Sequence, residues 1–217
     1  MRTVHLGTRK ADDNMDNSEV TEQARTALNP LKYGHMIQYK DMICIGEGDL
    51  GTGVFARRKI NKGEPILEFT GPIISFAEAV LKGEKECYPL QIGKDRYIDL
   101  MAPGCYANHS CQPNAGIVND TILVAIRDIL PGEEVRYDYS TTMDEDHFTM
   151  VCRCGSSQCR GVVTDFKKIP LLRQREYLGM KVVMSFIADQ LSQEEDCSQS
   201  RSGPAYAVSG SASHPRK

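Results

Sequence analysis

Three cysteines within eight residues give the chain its most specific chemical signal. Cys152, Cys154 and Cys159 lie in one short glycine-containing loop, which could present three thiolates to a tetrahedral zinc ion. A catalytic zinc would keep an open position for water beside an acid, a base or a histidine. The loop contains none of these, and His147 is the nearest histidine. We therefore expect a structural four-cysteine site whose fourth ligand comes from elsewhere, and Cys111 is the candidate.

The other four cysteines are scattered, and we expect each to be a single thiol: Cys44, Cys87, Cys105 and Cys197. Residues 1–17 lack the apolar core of a signal peptide, and no apolar run is long enough to span a membrane. These features predict an intracellular protein, in which cysteines bind metals more often than they form disulfides.

The composition is that of an ordinary globular protein. Of 217 residues, 41% are apolar and 25% charged, with a formal net charge of −3. Such a chain lacks the basic footprint of a nucleic-acid-binding protein, so we expect no direct nucleic-acid binding and no membrane binding. An acidic balance is compatible with a basic peptide as substrate.

A glycine-rich segment offers a competing interpretation. Gly46, Gly48 and Gly51 satisfy the G-x-G-x-x-G dinucleotide fingerprint. That fold needs a crossover helix next, but only the seven residues 54–60 precede a turn. We reject it and predict a glycine-rich turn between two strands, in which Gly51 and Gly53 let the backbone approach a ligand. A turn without a ligand remains the alternative.

Short apolar runs separated by Gly and Pro predict a β-rich fold. Five strands are expected, at residues 42–45, 65–69, 88–92, 96–100 and 121–126. The capping box Ser75–Glu78 predicts a short helix that ends near Lys82. From Pro170 to Leu191 apolar residues recur at helical intervals, which predicts an amphipathic helix of about 20 residues.

Four motifs follow one another between Gly46 and Gly161. They are Gly51-Thr52-Gly53; Asn108-His109-Ser110-Cys111 before Pro113-Asn114; Gly132-Glu133-Glu134 leading to Tyr137-Asp138-Tyr139; and the cysteine loop. In this order they resemble the SET-domain family of S-adenosylmethionine-dependent protein-lysine methyltransferases, with a zinc-binding post-SET loop. The resemblance implies a mostly β fold with short helices, in which the Asn-His segment forms a pseudoknot beside Tyr139.

The resemblance also implies domain boundaries. We expect a loose or disordered arm at residues 1–30, a SET domain at 31–147, a post-SET zinc loop at 148–164 and a C-terminal amphipathic helix at 165–191. Residues 192–217 are rich in Ser, Gly, Gln and Pro, and we expect a disordered tail there.

Individual roles follow from the same resemblance. Tyr139 would be catalytic, and Tyr137 would limit the number of methyl groups that fit. Tyr88 and Tyr97 would line the lysine channel. One zinc ion would bind four thiolates, from Cys111, Cys152, Cys154 and Cys159. S-adenosyl-L-methionine would be held by six residues: Gly51, Thr52, Gly53, Tyr106, Asn108 and His109. Many family members have Arg-Phe-Ile before Asn-His, whereas Cys105, Tyr106 and Ala107 stand there in this chain.

The implied chemistry needs little from the protein beyond alignment. Holding the lysine nitrogen in line with a sulfonium methyl can contribute roughly 7 to 11 kcal/mol. The lysine must first lose its proton, and burial beside the sulfonium lowers its pKa from about 10.4. No dedicated base is required, so none is assigned to His109. A water held by the Tyr137 hydroxyl would occupy the space of a methylated amine, which predicts a bias toward mono-methylation.

The expected substrate is a histone or histone-like basic protein, and residues 144–146 could attract it or form only a solvated loop. Two alternatives stay open. One is a catalytically silent SET module that binds peptides or acts as a scaffold, and the other is a methyltransferase for a non-histone protein. The expected location is the nucleus or chromosome in a eukaryote and the cytoplasm in a bacterium.

Overall fold

Pairs of short strands make up most of the fold. The computed structural model describes residues 39–83 and 89–201, with the backbone alone for 195–201. The strands are β1 Ile43–Gly48, β2 Gly51–Ala56, β3 Pro65–Glu68, β4 Ile73–Ile74, β5 Pro89–Gly93, β6 Arg96–Asp99, β7 Asn108–His109, β8 Ala115–Val118, β9 Ile122–Ala125, β10 Arg136–Tyr137, β11 Met150–Val151 and β12 Val162–Val163. The helices are α1 Phe76–Leu81, α2 Leu171–Met180 and α3 Ser185–Arg201. In the described ranges, 3-10 turns occur at Tyr39–Asp41, Gly104–Tyr106, Tyr139–Thr142 and Phe166–Lys168. The predicted mostly β fold with short helices is confirmed.

The glycine-rich segment is a β-hairpin. Strands β1 and β2 are antiparallel, and their register runs from Ile43 opposite Ala56 to Gly48 opposite Gly51. Two residues, Asp49 and Leu50, close the turn. An antiparallel hairpin has no crossover helix, so the dinucleotide-binding interpretation is correctly rejected.

Two three-stranded sheets carry the core. One has the strand order β3-β9-β8 and the other β4-β6-β5. The side chains of these strands that are almost completely buried include Ile66, Leu67, Leu90, Ile117 and Leu123.

The two motifs with the most chemistry meet in a parallel pair. Strand β7 pairs with β10, with Asn108 opposite Arg136 and His109 opposite Tyr137. The Ser110 N–H donates to the Tyr137 carbonyl at 3.0 Å, which extends the pair. Asn114 then exchanges bonds with Arg136, since its N–H donates to the Arg136 carbonyl and its Oδ1 accepts from the Arg136 N–H. Segments 28 positions apart in sequence (136 against 108) are thereby fixed side by side.

Helix α1 begins as predicted. Ser75 is the N-cap, its hydroxyl accepts from the Glu78 N–H, and the Glu78 carboxylate accepts from the Ser75 N–H. The helix ends at Leu81, one residue before the predicted Lys82.

The predicted single C-terminal helix is wrong, since two helices replace it. Helix α2 ends at Met180, and its C-cap residue Lys181 has a left-handed φ of 58°. The chain then turns so that Val182 and Met184 enter the core, 2% and 1% exposed. Asp120 caps α3 by accepting from the Ser185 N–H at 2.7 Å. The helix continues to Arg201, beyond residue 192 where the tail was predicted to begin.

The arm predicted at residues 1–30 and the channel residue Tyr88 lie outside the described residues. Within the described part of the chain, no helix has the length and apolar character needed to cross a membrane.

Candidate active site and metal-binding cluster

Tyr137 and Tyr139 lie next to each other at the end of β10. Their ring centroids are 4.9 Å apart, and Phe69 packs on the far side of Tyr137 with centroids 5.6 Å apart. The Tyr139 hydroxyl donates to the Ala107 carbonyl at 2.9 Å. Its backbone N–H donates to His109 Nδ1 at 3.2 Å. The Asn-His segment therefore fixes both ends of Tyr139.

Both tyrosines line a narrow cavity of about 40 Å³. Its walls are largely apolar and aromatic, with contributions from Phe76, Tyr97 and Phe148. Of the two predicted channel residues, Tyr97 thus lies in the same cavity as Tyr137 and Tyr139. A cavity of this shape and lining suits an unbranched side chain and restricts the entry of water.

A carboxylate also reaches this cavity. Glu145 lines it, and the Tyr97 hydroxyl donates to Glu145 Oε2. Burial and then the hydrogen bond to Glu145 raise the pKa of Tyr97 well above its ordinary value, so the phenol stays protonated. Sequence reasoning noticed Glu145 only as part of an acidic run, because nothing local marks it as a neighbour of Tyr97, 48 residues away.

The predicted cofactor residues of β2 lie beside Asn108. The Asn108 amide donates to the Thr52 carbonyl at 3.0 Å and to Glu134 Oε1 at 2.7 Å. A Cβ on Gly53 would lie 2.5 Å from Glu134 Oε1, so any other residue there would displace the carboxylate that accepts from Asn108. Gly51 has a φ of 89°, which favours glycine. The buried Asn108 amide is thereby held against the glycine-containing strand β2.

The remaining two cofactor predictions differ in placement. Tyr106 ends a 3-10 turn and packs partly buried on the core. The His109 ring points toward Tyr139 and Cys111, which leaves the backbone of His109 for a cofactor. Both roles stay predictions.

Four ligand atoms converge where the post-SET loop meets the Asn-His segment. Side-chain donors of His109, Cys111, Cys152 and Cys154 all lie within 4.8 Å of one another, and all four residues are buried. Cys111 precedes Cys152 by 41 residues in the sequence, but the Sγ atoms of the two residues are 3.7 Å apart. Sulfur and imidazole ligands in this number fit a zinc ion.

Cys159 does not belong to this group of four. Its thiol is exposed, and its Sγ accepts from the Gly161 N–H at 3.4 Å. The donor set therefore contains His109 where Cys159 was predicted, and Cys159 as a ligand stays a prediction.

The hydrogen bonds of His109 bear on which residue completes the set. Because Nδ1 accepts from the Tyr139 N–H, the proton of the neutral ring is on Nε2, which faces Cys111 Sγ at 3.3 Å. An Nε2–H group donates to a thiolate and cannot bind a metal. In this tautomer His109 donates a hydrogen bond to Cys111 and orients its sulfur. The fourth ligand must then come from another residue such as Cys159.

Cys111 is the thiol best suited to lose its proton. The hydrogen bond from Cys152 lowers the pKa of Cys111, and the contact with His109 lowers it further. The same pairing with Cys111 raises the pKa of Cys152. A metal ion would replace the proton that these thiols share.

A buried ion pair that sequence reasoning missed joins the cysteine loop to the tyrosines. Asp138, 1% exposed, accepts from Arg160 Nη1 and Nη2 at 2.6 and 2.7 Å and from the Tyr177 hydroxyl at 2.9 Å. Burial raises the pKa of Asp138, but the Arg160 bonds outweigh it, so the net pKa is lowered. Since Arg160 follows Cys159, the pair fixes the loop beside Tyr139.

Comparison with known proteins identifies the domain. Residues 51–140 match the family model for the SET domain. Over these 90 of its 217 residues the chain is similar to the SET domain.

The chain is similar to curated proteins that are named histone-lysine N-methyltransferases. The chain is 31% identical over 169 residues to Histone-lysine N-methyltransferase ATX2 of Arabidopsis thaliana, covering 68% of this chain and 15% of the relative. It is 32% identical over 149 residues to Histone-lysine N-methyltransferase, H3 lysine-4 specific, of Schizosaccharomyces pombe. That match covers 60% of this chain and 16% of the relative. The chain thus spans about one sixth of the length of these curated relatives. The solved methyltransferase domain of human Histone-lysine N-methyltransferase SETMAR is 23% identical, with a TM-score of 0.46, covering 54% of this chain and 55% of that one.

Proposed function

We propose that the chain is an S-adenosylmethionine-dependent protein-lysine N-methyltransferase that acts on a histone or histone-like basic protein. The observation that carries the proposal is the parallel pairing of β7 with β10. In this pairing His109 stands opposite Tyr137, and Asn108, a candidate cofactor residue, stands opposite Arg136, the residue before Tyr137. The names of the relatives agree with this activity.

The protein's part in the reaction is to bind, orient and exclude water. Bound S-adenosylmethionine supplies an electrophilic methyl group on a sulfonium. The walls formed by Phe76, Phe148 and the tyrosines hold the lysine side chain extended and restrict access of water, which favours its neutral form. Tyr139, fixed by Ala107 and His109, presents its hydroxyl where the nitrogen must be aligned. The ammonium proton of the lysine would leave to solvent first, and these residues would then hold the neutral nitrogen in line with the methyl group that the bound cofactor supplies.

The product is proposed to be mainly mono-methyllysine. The Tyr137 ring contacts Phe69 and Tyr139 and lines the cavity, and in this proposal its hydroxyl would hold a water near the nitrogen. That water would take the volume that a second methyl group needs.

A structural zinc is proposed at the cysteine cluster. Cys111, Cys152 and Cys154 would supply three ligands, with Cys159 as the fourth and His109 as the alternative. The ion would hold the loop of residues 152–159 against the Asn-His segment. If the host is a eukaryote, the proposed workplace is the nucleus, where a histone substrate would be found.

Transfer of a labelled methyl group tests the proposal. Purified protein is incubated with labelled S-adenosylmethionine and each core histone, and in parallel with a cell extract. The expected result is label on a lysine of at least one protein. Tyr139→Phe should reduce the rate by about a hundredfold or more, because an oriented hydroxyl at the reacting centre is lost.

Two further measurements make the result decisive. Cofactor binding by calorimetry should be retained in Tyr139→Phe, and its melting temperature should stay within a few degrees of the parent. If the parent binds the cofactor but labels nothing, the silent-module alternative replaces this proposal. Label on extract proteins without label on any histone would favour a non-histone substrate.

A further inference from the structure

Glu145 is held in the wall of the tyrosine-lined cavity by an unusually complete set of backbone bonds. The Asp144 N–H donates to Gln91 Oε1 at 2.9 Å. The next two N–H groups, of Glu145 and Asp146, donate to the two carboxylate oxygens of Asp165 at 3.3 and 3.1 Å. Gln91 and Asp165 are themselves buried, at 3% and 1% exposure. Three successive N–H groups are thus held by buried side chains, which restrains the backbone at Glu145 and the direction in which its side chain leaves it.

That direction is toward the channel. Glu145 and Tyr97 line the cavity together with Tyr139, and the Tyr97 hydroxyl donates to Glu145 Oε2. An ionised carboxylate has several lone pairs that accept hydrogen bonds, so Glu145 can accept from an N–H donor while it also accepts from the Tyr97 hydroxyl.

The two acids beside Glu145 have other partners. Asp146 is 58% exposed at its side chain and pairs with Lys167 and Lys168, while Asp144 pairs with Lys167. Neither lines the tyrosine-lined cavity. Within this acidic run, Glu145 is the member whose carboxylate belongs to the channel.

We propose that Glu145, oriented by Tyr97, captures the cationic side chain of the substrate lysine as it enters the channel. This rests on the proposed function and assigns a specificity role to a residue of that site. A protonated lysine would exchange its solvation shell for the carboxylate and the aromatic walls, a charge-assisted contact that a neutral side chain cannot make. Because the same carboxylate stabilises the ammonium form, it favours binding and does not favour the loss of the proton.

The kinetic consequence is a separation of KM from kcat. Glu145→Gln keeps the size of the side chain and an oxygen that can accept from Tyr97, but it removes the charge. With a core histone that the parent enzyme labels, we expect KM to rise about tenfold while kcat changes by less than about twofold. The parent KM should also increase with salt more steeply than the variant KM.

Matched variants separate capture by Glu145 from a general attraction by the acidic loop and from a direct effect of the Tyr97 hydroxyl. Asp146→Asn removes a neighbouring charge outside the cavity, and we expect an unchanged KM. Tyr97→Phe removes the hydroxyl that orients Glu145, and we expect a smaller rise in KM than for Glu145→Gln. Equal KM increases in Glu145→Gln and Asp146→Asn would show a general field of the acidic loop and overturn the proposal.

The outcomes also separate this inference from the function on which it depends. If the parent labels no protein, the proposed function fails first. If the parent is active and Glu145→Gln has parental KM and salt dependence, the inference alone is wrong. A Glu145→Gln variant with a lower kcat and unchanged KM would likewise contradict it, because that pattern indicates a role in the transition state and not in substrate capture.

Discussion

Tyr137 and Tyr139 have the same side chain but different surroundings. The Tyr139 hydroxyl is bound to the Ala107 carbonyl, so its orientation follows the Asn-His segment. The Tyr137 ring packs against Phe69 and Tyr139, and the residue is 5% exposed. Ring packing would survive loss of the hydroxyl, so the two functions of Tyr137, wall and water site, can be separated by one substitution.

Tyr137→Phe should therefore change the product and not the fold. Without a hydroxyl to hold a water, the space next to the nitrogen is free for a methyl group. We expect the di- and trimethyl fraction to rise at least severalfold, as measured by mass spectrometry of the modified lysine at equal substrate conversion. An unchanged product distribution in an active variant would show that Tyr137 does not limit methylation.

Residues of the site differ in how far the sequence could predict them. Tyr137, Tyr139, Asn108 and the cysteine loop lie in short motifs whose spacing is visible along the chain. Glu145 gains its role from Tyr97, and Asp138 from Arg160, through contacts over 48 and 22 residues. Such contacts depend on tertiary packing, which no local spacing encodes.

The break between helices α2 and α3 is caused by tertiary packing. The apolar pattern of residues 170–191 runs on without interruption, and the one weak position in that stretch is Gly179. The break instead falls at Lys181, because Val182 and Met184 must leave the helix to fill the core. Val182 packs against Gly116 of β8, where a Cβ would come within 2.7 Å of it. Burial of two apolar side chains outweighs the local preference for a longer helix.

Lys181→Gly should stabilise the protein. A lysine in the left-handed region costs about 1–2 kcal/mol, and glycine removes that cost. Part of the gain is lost because glycine has more conformational freedom in the unfolded chain. The net gain expected is about 0.5–1 kcal/mol, or a rise of about 1–4 °C in Tm. Lys181→Ala is the control, since it removes the same exposed side chain and keeps the strained backbone. An equal rise in Tm for both variants would assign the effect to the lysine side chain.

At the scale of the whole molecule, two chains of contacts connect the cysteine cluster to the active site. In the first, Cys111 contacts His109, which accepts from the Tyr139 N–H. In the second, the Cys154 carbonyl accepts from Arg136, Arg136 pairs with Glu134, and Glu134 accepts from Asn108. One chain ends at the candidate catalytic residue and the other beside Thr52 and Gly53, so displacement of the loop would affect both.

Loss of the metal should therefore weaken catalysis and cofactor binding as well as folding. For Cys111→Ser we expect zinc content to fall well below about one ion per chain, with a lower Tm and weaker S-adenosylmethionine binding. Zinc is measured by atomic emission, cofactor affinity by calorimetry and stability by thermal melting. Cys44→Ser is the matched control, because Cys44 lies on β1 and outside the four-residue cluster. A Cys111→Ser protein with full zinc, parental cofactor affinity and parental activity would separate the two sites. A variant that loses zinc but binds the cofactor normally would limit the ion to a role in stability, and the contact chains through His109 and Arg136 would then carry no coupling.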